Sequence, residues 1–302
     1  MNLSQPYHNL LNQSEPPLSA TDIQTLSSQY RIILLKGFLG DLLPKRFDSY
    51  FFDQMRWMRE HNIEFWRLES DSGYGTQKLS QNNAEAIEKA IRVFHEKVPN
   101  KGVLVVSHSK GGMDTLETLI SRTSLSRREI AGWIALQAPF WGTPVADWAT
   151  SSNWFNPLVE QLLEKWFKGD RKVAASMGLA NRQDYMRQHA KEIFEIAEKF
   201  DILCFVSSSA SGDASLFKPL RFAIDKIAKV PNDGLLPTRS GMLEVEGRLC
   251  CPYVETEHLD HIYAVMPLMP DRPAGGPFEH KALRIRIYSA LLKIWLDQRK
   301  HA

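Results

Sequence analysis

Cysteine is scarce, with three residues in 302, of which Cys250 and Cys251 are adjacent and Cys204 lies in an apolar, strand-like stretch. An odd count with two neighbours makes a poor disulfide framework and argues against a small stapled fold. An excess of one charge is lacking too. Thirty-seven Lys and Arg against 35 Asp and Glu leave a formal net charge of +2, so nothing in the balance asks for nucleic acid as a partner. No run approaches the ~18 consecutive apolar residues of a membrane span. The first basic residue is Arg31, so the N-terminus has no charged region leading into an apolar one, and the expectation is a cytoplasmic protein without a transmembrane segment. The Arg299-Lys300-His301 ending reads as a solvated helix terminus.

What is present is enough apolar material, 43% of residues, for a sizeable core. Met1 to Ser28 is rich in Ser, Gln, Asn and Pro and reads as a flexible arm. From residue 29 to 302 a single domain is expected. Strands are expected over Arg31–Lys36, Ile63–Leu68, Val103–Val106, Ile130–Leu136, Ile202–Ser207 and Tyr253–Glu255. Helices are expected over Phe51–His61, Ser80–Lys97, from the end of the Val103 strand to Ser121, Leu216–Ile227 and Phe278–Gln298. Strand and helix alternate, so the economical fold class is α/β, a mostly parallel sheet with helices on both faces. The alternation breaks between about 148 and 200. That stretch is helical, and its first part holds Trp148, Trp154, Phe155, Leu158 and Trp166. It reads either as extra helices packed on the sheet or, preferably, as a helical cap over the site.

The chemistry starts at Val103–Asp114. An apolar run stops at Ser109, flanked by small residues, and a segment with Met113, Leu116, Leu119 and Ile120 at helical spacing follows. A nucleophile on a sharp strand-to-helix turn needs small residues two before and two after it, and Ser107 and Gly111 meet that need. The pattern is short enough to arise by composition, so its context carries the argument.

A serine hydroxyl needs a base, and the base needs an orienting acid. For this kind of elbow the chain order is Ser, acid, His. His258 and His261 follow the last expected strand, whereas His189, His280 and His301 fall in helical stretches. His258, first on its loop, is preferred. Asn232-Asp233-Gly234 is turn chemistry in a loop between the last strands, which makes Asp233 the preferred acid. Asp213 is its rival, and Asp201 precedes its strand and would face the wrong end. The oxyanion hole needs two backbone N–H groups, one after the nucleophile and one after the first strand, namely Lys110 and Phe38.

With these residues assembled, the chain resembles the bacterial triacylglycerol lipases and related lipase-like α/β-hydrolases. Leu34-Leu35-Lys36-Gly37-Phe38 is similar to the family's strand ending in His-Gly, and Ser107-His108-Ser109-Lys110-Gly111-Gly112 to its elbow. Ala138 to Asp147 resembles its Pro-His-x-Gly-(Ser/Thr)-Pro-x-Ala-Asp segment. Asn232-Asp233-Gly234-Leu235 and His258-Leu259-Asp260 resemble its acid and base loops. The resemblance implies an α/β-hydrolase fold, Asp233 as acid, His258 as base, Phe38 and Lys110 as oxyanion donors, and a lid within the Trp148–Phe200 insertion. Three departures stand out: Lys36 for the family's His, Ser107 for Gly, and Ala264 where calcium-binding members place a side-chain amide near Asp260. No metal and no cofactor are therefore carried over.

The expectation is a serine ester hydrolase, a lipase or esterase, for apolar acyl groups. Trp141, Trp148 and Trp154 are expected at the substrate, and the cap is expected to touch a lipid interface transiently. An acyltransferase, thioesterase or polyester depolymerase would use the same triad. A hydrolase-like binding module would use none of it. Two places are open to the Lys110 side chain: solvent, or the site, where a cation would favour an anionic substrate group.

Overall fold

The computed structural model describes residues 1–41, 49–150, 171–210, 217–266 and 277–300. Its core is a six-stranded sheet in the order β2-β1-β3-β4-β5-β8, with every neighbouring pair parallel. The strands are β1 (Tyr30–Leu35), β2 (Phe65–Arg67), β3 (Gly102–His108), β4 (Ile130–Leu136), β5 (Asp201–Ser207) and β8 (Tyr253–Thr256). A short antiparallel pair, β6 (Glu244–Val245) and β7 (Arg248–Leu249), stands apart.

All six residues of β1 and all seven of β4 are buried, which is why Ile32–Leu35 and β4 read as apolar runs. Successive side chains alternate between two clusters. Ile32, Leu34, Leu104 and Val106 join one, and Ile33, Leu35, Val103 and Val105 join the other. The first face is covered by α3 (Phe52–Glu60) and α10 (Pro277–Lys300), the second by α4 (Ser80–Glu96) and α5 (Lys110–Ser121). From β1 the chain moves to β2 on one side, and from β3 onward it moves the other way. In such a sheet the crevice at the carboxyl ends of the strands flanking that reversal is where ligands bind. Here those ends lead into Gly37-Phe38 and into Ser109.

Two expectations change. Met1–Ser28 is not an arm. It forms α1 (Ser4–Asn12) and α2 (Ala20–Gln29), with Tyr7 and Leu26 fully buried in the first cluster. Leu3 donates its N–H to Tyr253 at 2.8 Å, and the Arg286 guanidinium donates to the carbonyls of Leu10 and Leu11 at 3.0 and 2.7 Å. Ser19 caps α2 reciprocally with Asp22. The polar composition hid a sparse apolar stripe, which is all that an already formed sheet needs as a partner.

Part of the 148–200 stretch, expected as a cap, packs on the sheet instead. Residues 151–170 lie outside the described residues. After α7 (Arg171–Ser176), the helices α8 (Leu179–Gln188) and α9 (Ala190–Lys199) bury Met186, Ile193 and Ile196 in the second cluster, against the sheet layer. Among the described residues, no helix is long and apolar enough to cross a membrane. Cys204 and Cys251, far apart in sequence, lie with their Sγ atoms 3.4 Å apart as free thiols, and their mutual hydrogen bond and burial push the Cys251 thiol well up.

The packing of the N-terminal helices is checked by Leu26→Ala. Loss of a fully buried leucine is expected to lower unfolding stability by about 2–4 kcal/mol in urea titration. A loose arm would give no measurable change.

Candidate active site

The elbow is built as its spacing requires. Ser109 has φ 53° and ψ −127°, a conformation costly for any residue with a Cβ and held by its surroundings. A Cβ at Gly111 would come within 2.9 Å of the carbonyls of Leu35 and Lys36, so α5 packs directly on the backbone at the end of β1. Ser107 is tolerated for a positive reason, because its Oγ accepts a hydrogen bond from the Trp133 indole at 2.7 Å.

Asp233 sits in the expected acid loop and is 1% exposed. Its Oδ1 accepts the N–H groups of Leu235 and Leu236 at 3.0 and 2.7 Å, so the turn reading of Asn-Asp-Gly is realised as well. Its Oδ2 contacts Nδ1 of His261 at 2.8 Å and accepts from Gln137 Nε2 at 3.0 Å. The histidine that meets the acid is therefore His261, not His258.

His258 takes a left-handed conformation, φ 63°, and is exposed on a cleft shared with Asn2, Ser4 and His8. The chain turns inward only after it. Leu259 is buried and donates its N–H to Ser208, Asp260 Oδ1 receives the N–H groups of Ile262 and Tyr263, and the His261 N–H donates to the Asp233 carbonyl at 3.0 Å. The spacing Leu259, Ile262, Val265 marks the buried side of this turn; that signal places His261 within the buried segment and leaves His258 outside it. Asp213, the rival acid, lies outside the described residues.

Gln137 escaped the sequence reading. It ends β4 at a left-handed φ of 47°, 1% exposed, with Nε2 also donating to Ser207 Oγ at 2.6 Å. A polar residue directly after seven buried apolar ones, at the carboxyl edge of the sheet, was the available signal.

Phe38 opens a short 3-10 turn, and Lys110 opens α5, where first-turn amides have no intrahelical acceptor. Lys36 lies beneath the first of these: its stem fills the space where a Cβ on Gly40 would sit, and its Nζ is 2.6 Å from Glu69. The Lys110 side chain goes neither to solvent nor to the site. It is fully buried, with Nζ 2.8 Å from Asp114.

His108 links the loops. Its Nε2 lies 2.6 Å from the His261 carbonyl, which only a protonated nitrogen can satisfy. Nδ1 is then the acceptor for the Tyr50 hydroxyl, which in turn accepts the Gly37 N–H at 2.9 Å. Burial, and then the neighbouring His261, hold the His108 pKa well below its ordinary 6.5.

One cavity of about 50 Å³ contains both Ser109 and His261, walled by apolar groups that include Phe38, Val145, Met177 and Ile262. Of the expected substrate tryptophans, Trp141 and Trp148 are not among the described residues of its wall. Trp141 donates its indole N–H to the Glu244 carbonyl at 2.9 Å and packs on the second cluster. Trp148 packs around Val145 and Phe217, one layer out, and Trp154 lies outside the described residues. Among the described residues, no group of three His, Cys, Asp or Glu side chains could hold a metal ion.

The chain is similar in structure to the metagenomic carboxyl esterase MGS0156, with TM-score 0.67 and 15% identity over 99% of this chain and 93% of that one. The fold is that of an α/β-hydrolase. It is also similar to the Bacillus licheniformis lipase BlEst2 in mature form, with TM-score 0.60 and 17% identity over 78% and 85% of the two chains. No protein-family model and no curated protein matches the sequence. In this fold the elbow, the Asn232–Gly234 turn and the loop after β8 all open at the carboxyl edge of the sheet.

Because His108 is neutral when folded and titrates near its ordinary 6.5 when unfolded, the unfolded chain binds the extra proton below that pH. Stability is therefore full above about pH 6.5 and is lost as pH falls below it. Between pH 7.5 and 5.5 this one group is expected to remove about 1 kcal/mol. Urea titrations of His108→Gln should show a correspondingly weaker pH dependence than those of the native protein.

Proposed function

We propose that the protein hydrolyses carboxylic esters with apolar acyl groups through Ser109, His261 and Asp233. One observation carries the reading: Ser109 and His261 line the same apolar cavity, while Asp233 occupies the other nitrogen of His261. With Nδ1 held, Nε2 is the nitrogen that remains for proton transfer. The names of the structural neighbours, a carboxyl esterase and a lipase, support the same class.

Ser109 Oγ attacks the ester carbonyl as its proton passes to His261 Nε2. The Phe38 and Lys110 N–H groups receive the developing oxyanion. Collapse expels the alcohol, which takes the proton from His261 and leaves an acyl-Ser109. Water then attacks with His261 again as base, releasing the acid and restoring Ser109. Asp233 holds the ring in the tautomer that makes this possible, and Gln137 holds Asp233.

The wall of this cavity is apolar, which suits the acyl group of an ester better than a charged or strongly polar substituent. Helices α6 (Pro144–Thr150) and α7 contribute Val145 and, just beyond α7, Met177 to its wall, and we read them as the cap.

Hydrolysis of p-nitrophenyl esters tests the assignment. Ser109→Ala and His261→Asn are expected to lose about a thousandfold or more in kcat, with His258→Asn within about twofold of the native protein. Full activity in His261→Asn, or its loss in His258→Asn, would overturn the choice of base.

A further inference from the structure

Behind the elbow lies a buried charged network that the reaction itself does not use. Lys110 Nζ reaches Asp114 Oδ1 and Oδ2 at 2.8 and 2.9 Å, and both side chains are fully buried. Asp114 Oδ2 also accepts Asn83 Nδ2 at 2.9 Å. The Tyr74 hydroxyl lies 3.1 Å from that same oxygen and 2.8 Å from the Lys36 carbonyl, so its one proton is shared between the first turns of α5 and the end of β1. Asn83 is fixed in turn by the N–H and carbonyl of Gly75, at 3.0 and 2.9 Å.

Stability does not account for this arrangement. A buried ion pair must overcome the desolvation of two charges, and apolar residues of similar volume commonly serve as well. A cation in the first turn of α5, with its anion four residues later, also opposes the helix dipole. Placement accounts for it better. Lys36 immediately precedes Gly37-Phe38, and Lys110 immediately follows Ser109, so the network joins the two backbone segments that carry the proposed oxyanion amides. Gly111, pressed on the Leu35 and Lys36 carbonyls, sets how near the two segments come. The ion pair and Tyr74 set how they are aligned.

We propose that Lys110 and Asp114, with Tyr74 and Asn83, form a positioning network that fixes the spacing of the Phe38 and Lys110 amides. Lys110 thus has two separable parts: a backbone N–H at the oxyanion and a side chain that positions it. The proposal rests on the reading of Ser109 as nucleophile. Its consequence is selective, because misaligned oxyanion donors weaken the transition state more than substrate binding.

The test is the double variant Lys110→Met/Asp114→Leu, which removes both charges together, beside Tyr74→Phe, in p-nitrophenyl butyrate hydrolysis. Single changes in the pair are avoided, since each strands a buried charge. The double variant is expected to lose about tenfold or more in kcat with KM within about twofold, and Tyr74→Phe about threefold to tenfold in kcat. The acid limb of the kcat/KM pH profile should stay in place, because Asp233 and His261 are outside the network. A folded double variant with kcat within twofold of native overturns the proposal and leaves the hydrolase reading standing. If the double variant does not fold, Tyr74→Phe decides, and an unchanged kcat overturns the proposal. A native protein no more active than Ser109→Ala overturns the hydrolase reading and the proposal with it.

Discussion

The carboxylate of Asp233 is the contact on which the rest of the site depends. Buried at 1% exposure, it is met by two backbone N–H groups on Oδ1 and by the Gln137 amide and His261 Nδ1 on Oδ2. A buried carboxylate with fewer donors would carry a desolvation cost of several kcal/mol, so the fold is committed to keeping all four in place. These four donors come from three different constraints. Leu235 and Leu236 belong to the turn that Asn232 starts, Gln137 sits at the end of a wholly buried strand, and His261 is drawn in by Leu259 and Ile262. In the proposed triad, Asp233 thus selects its histidine by geometry.

Around that contact the chain uses short side-chain bridges instead of long-range charge. His108 and Tyr50 join the His261 carbonyl to the Gly37 N–H. Lys110, Asp114 and Tyr74 join the start of α5 to the Lys36 carbonyl. The first passes through the end of β3 on its way from the loop after β8 to that after β1, and the second runs between the loops of β1 and β3, the pair at which strand order reverses. The small formal net charge, +2, fits a site whose charges are paired off internally.

Much of this was legible in the residues. The buried strands announced themselves by their apolar runs, with β4 expected and found over Ile130–Leu136. Ser109, Asp233, Phe38 and Lys110 all reach the edge where the argument put them, because elbows, Asx turns and glycine loops are local chemistry. The choice between His258 and His261 was not local. It turned on which side of Leu259 the chain enters the core, whereas His258 was preferred for coming first on its loop and for the resemblance of His258-Leu259-Asp260 to a base loop. The tryptophans misled for a related reason: a large aromatic near a motif is as readily a core residue, and Trp141 is one. The N-terminal helices were obscured because propensity and composition say little about a segment whose order comes from packing on a sheet formed elsewhere in the chain. The Lys110 side chain could not be placed until Asp114, four residues on, was seen to be buried beside it.

Covalent labelling tests the central claim most directly. A fluorophosphonate needs both an activated serine and an oxyanion hole, and mass spectrometry locates its adduct. The account requires a single adduct on Ser109 that forms at a similar rate in His258→Asn and is nearly abolished in His261→Asn. Rapid labelling of Ser109 that persists in His261→Asn, or no labelling of the native protein, would contradict it.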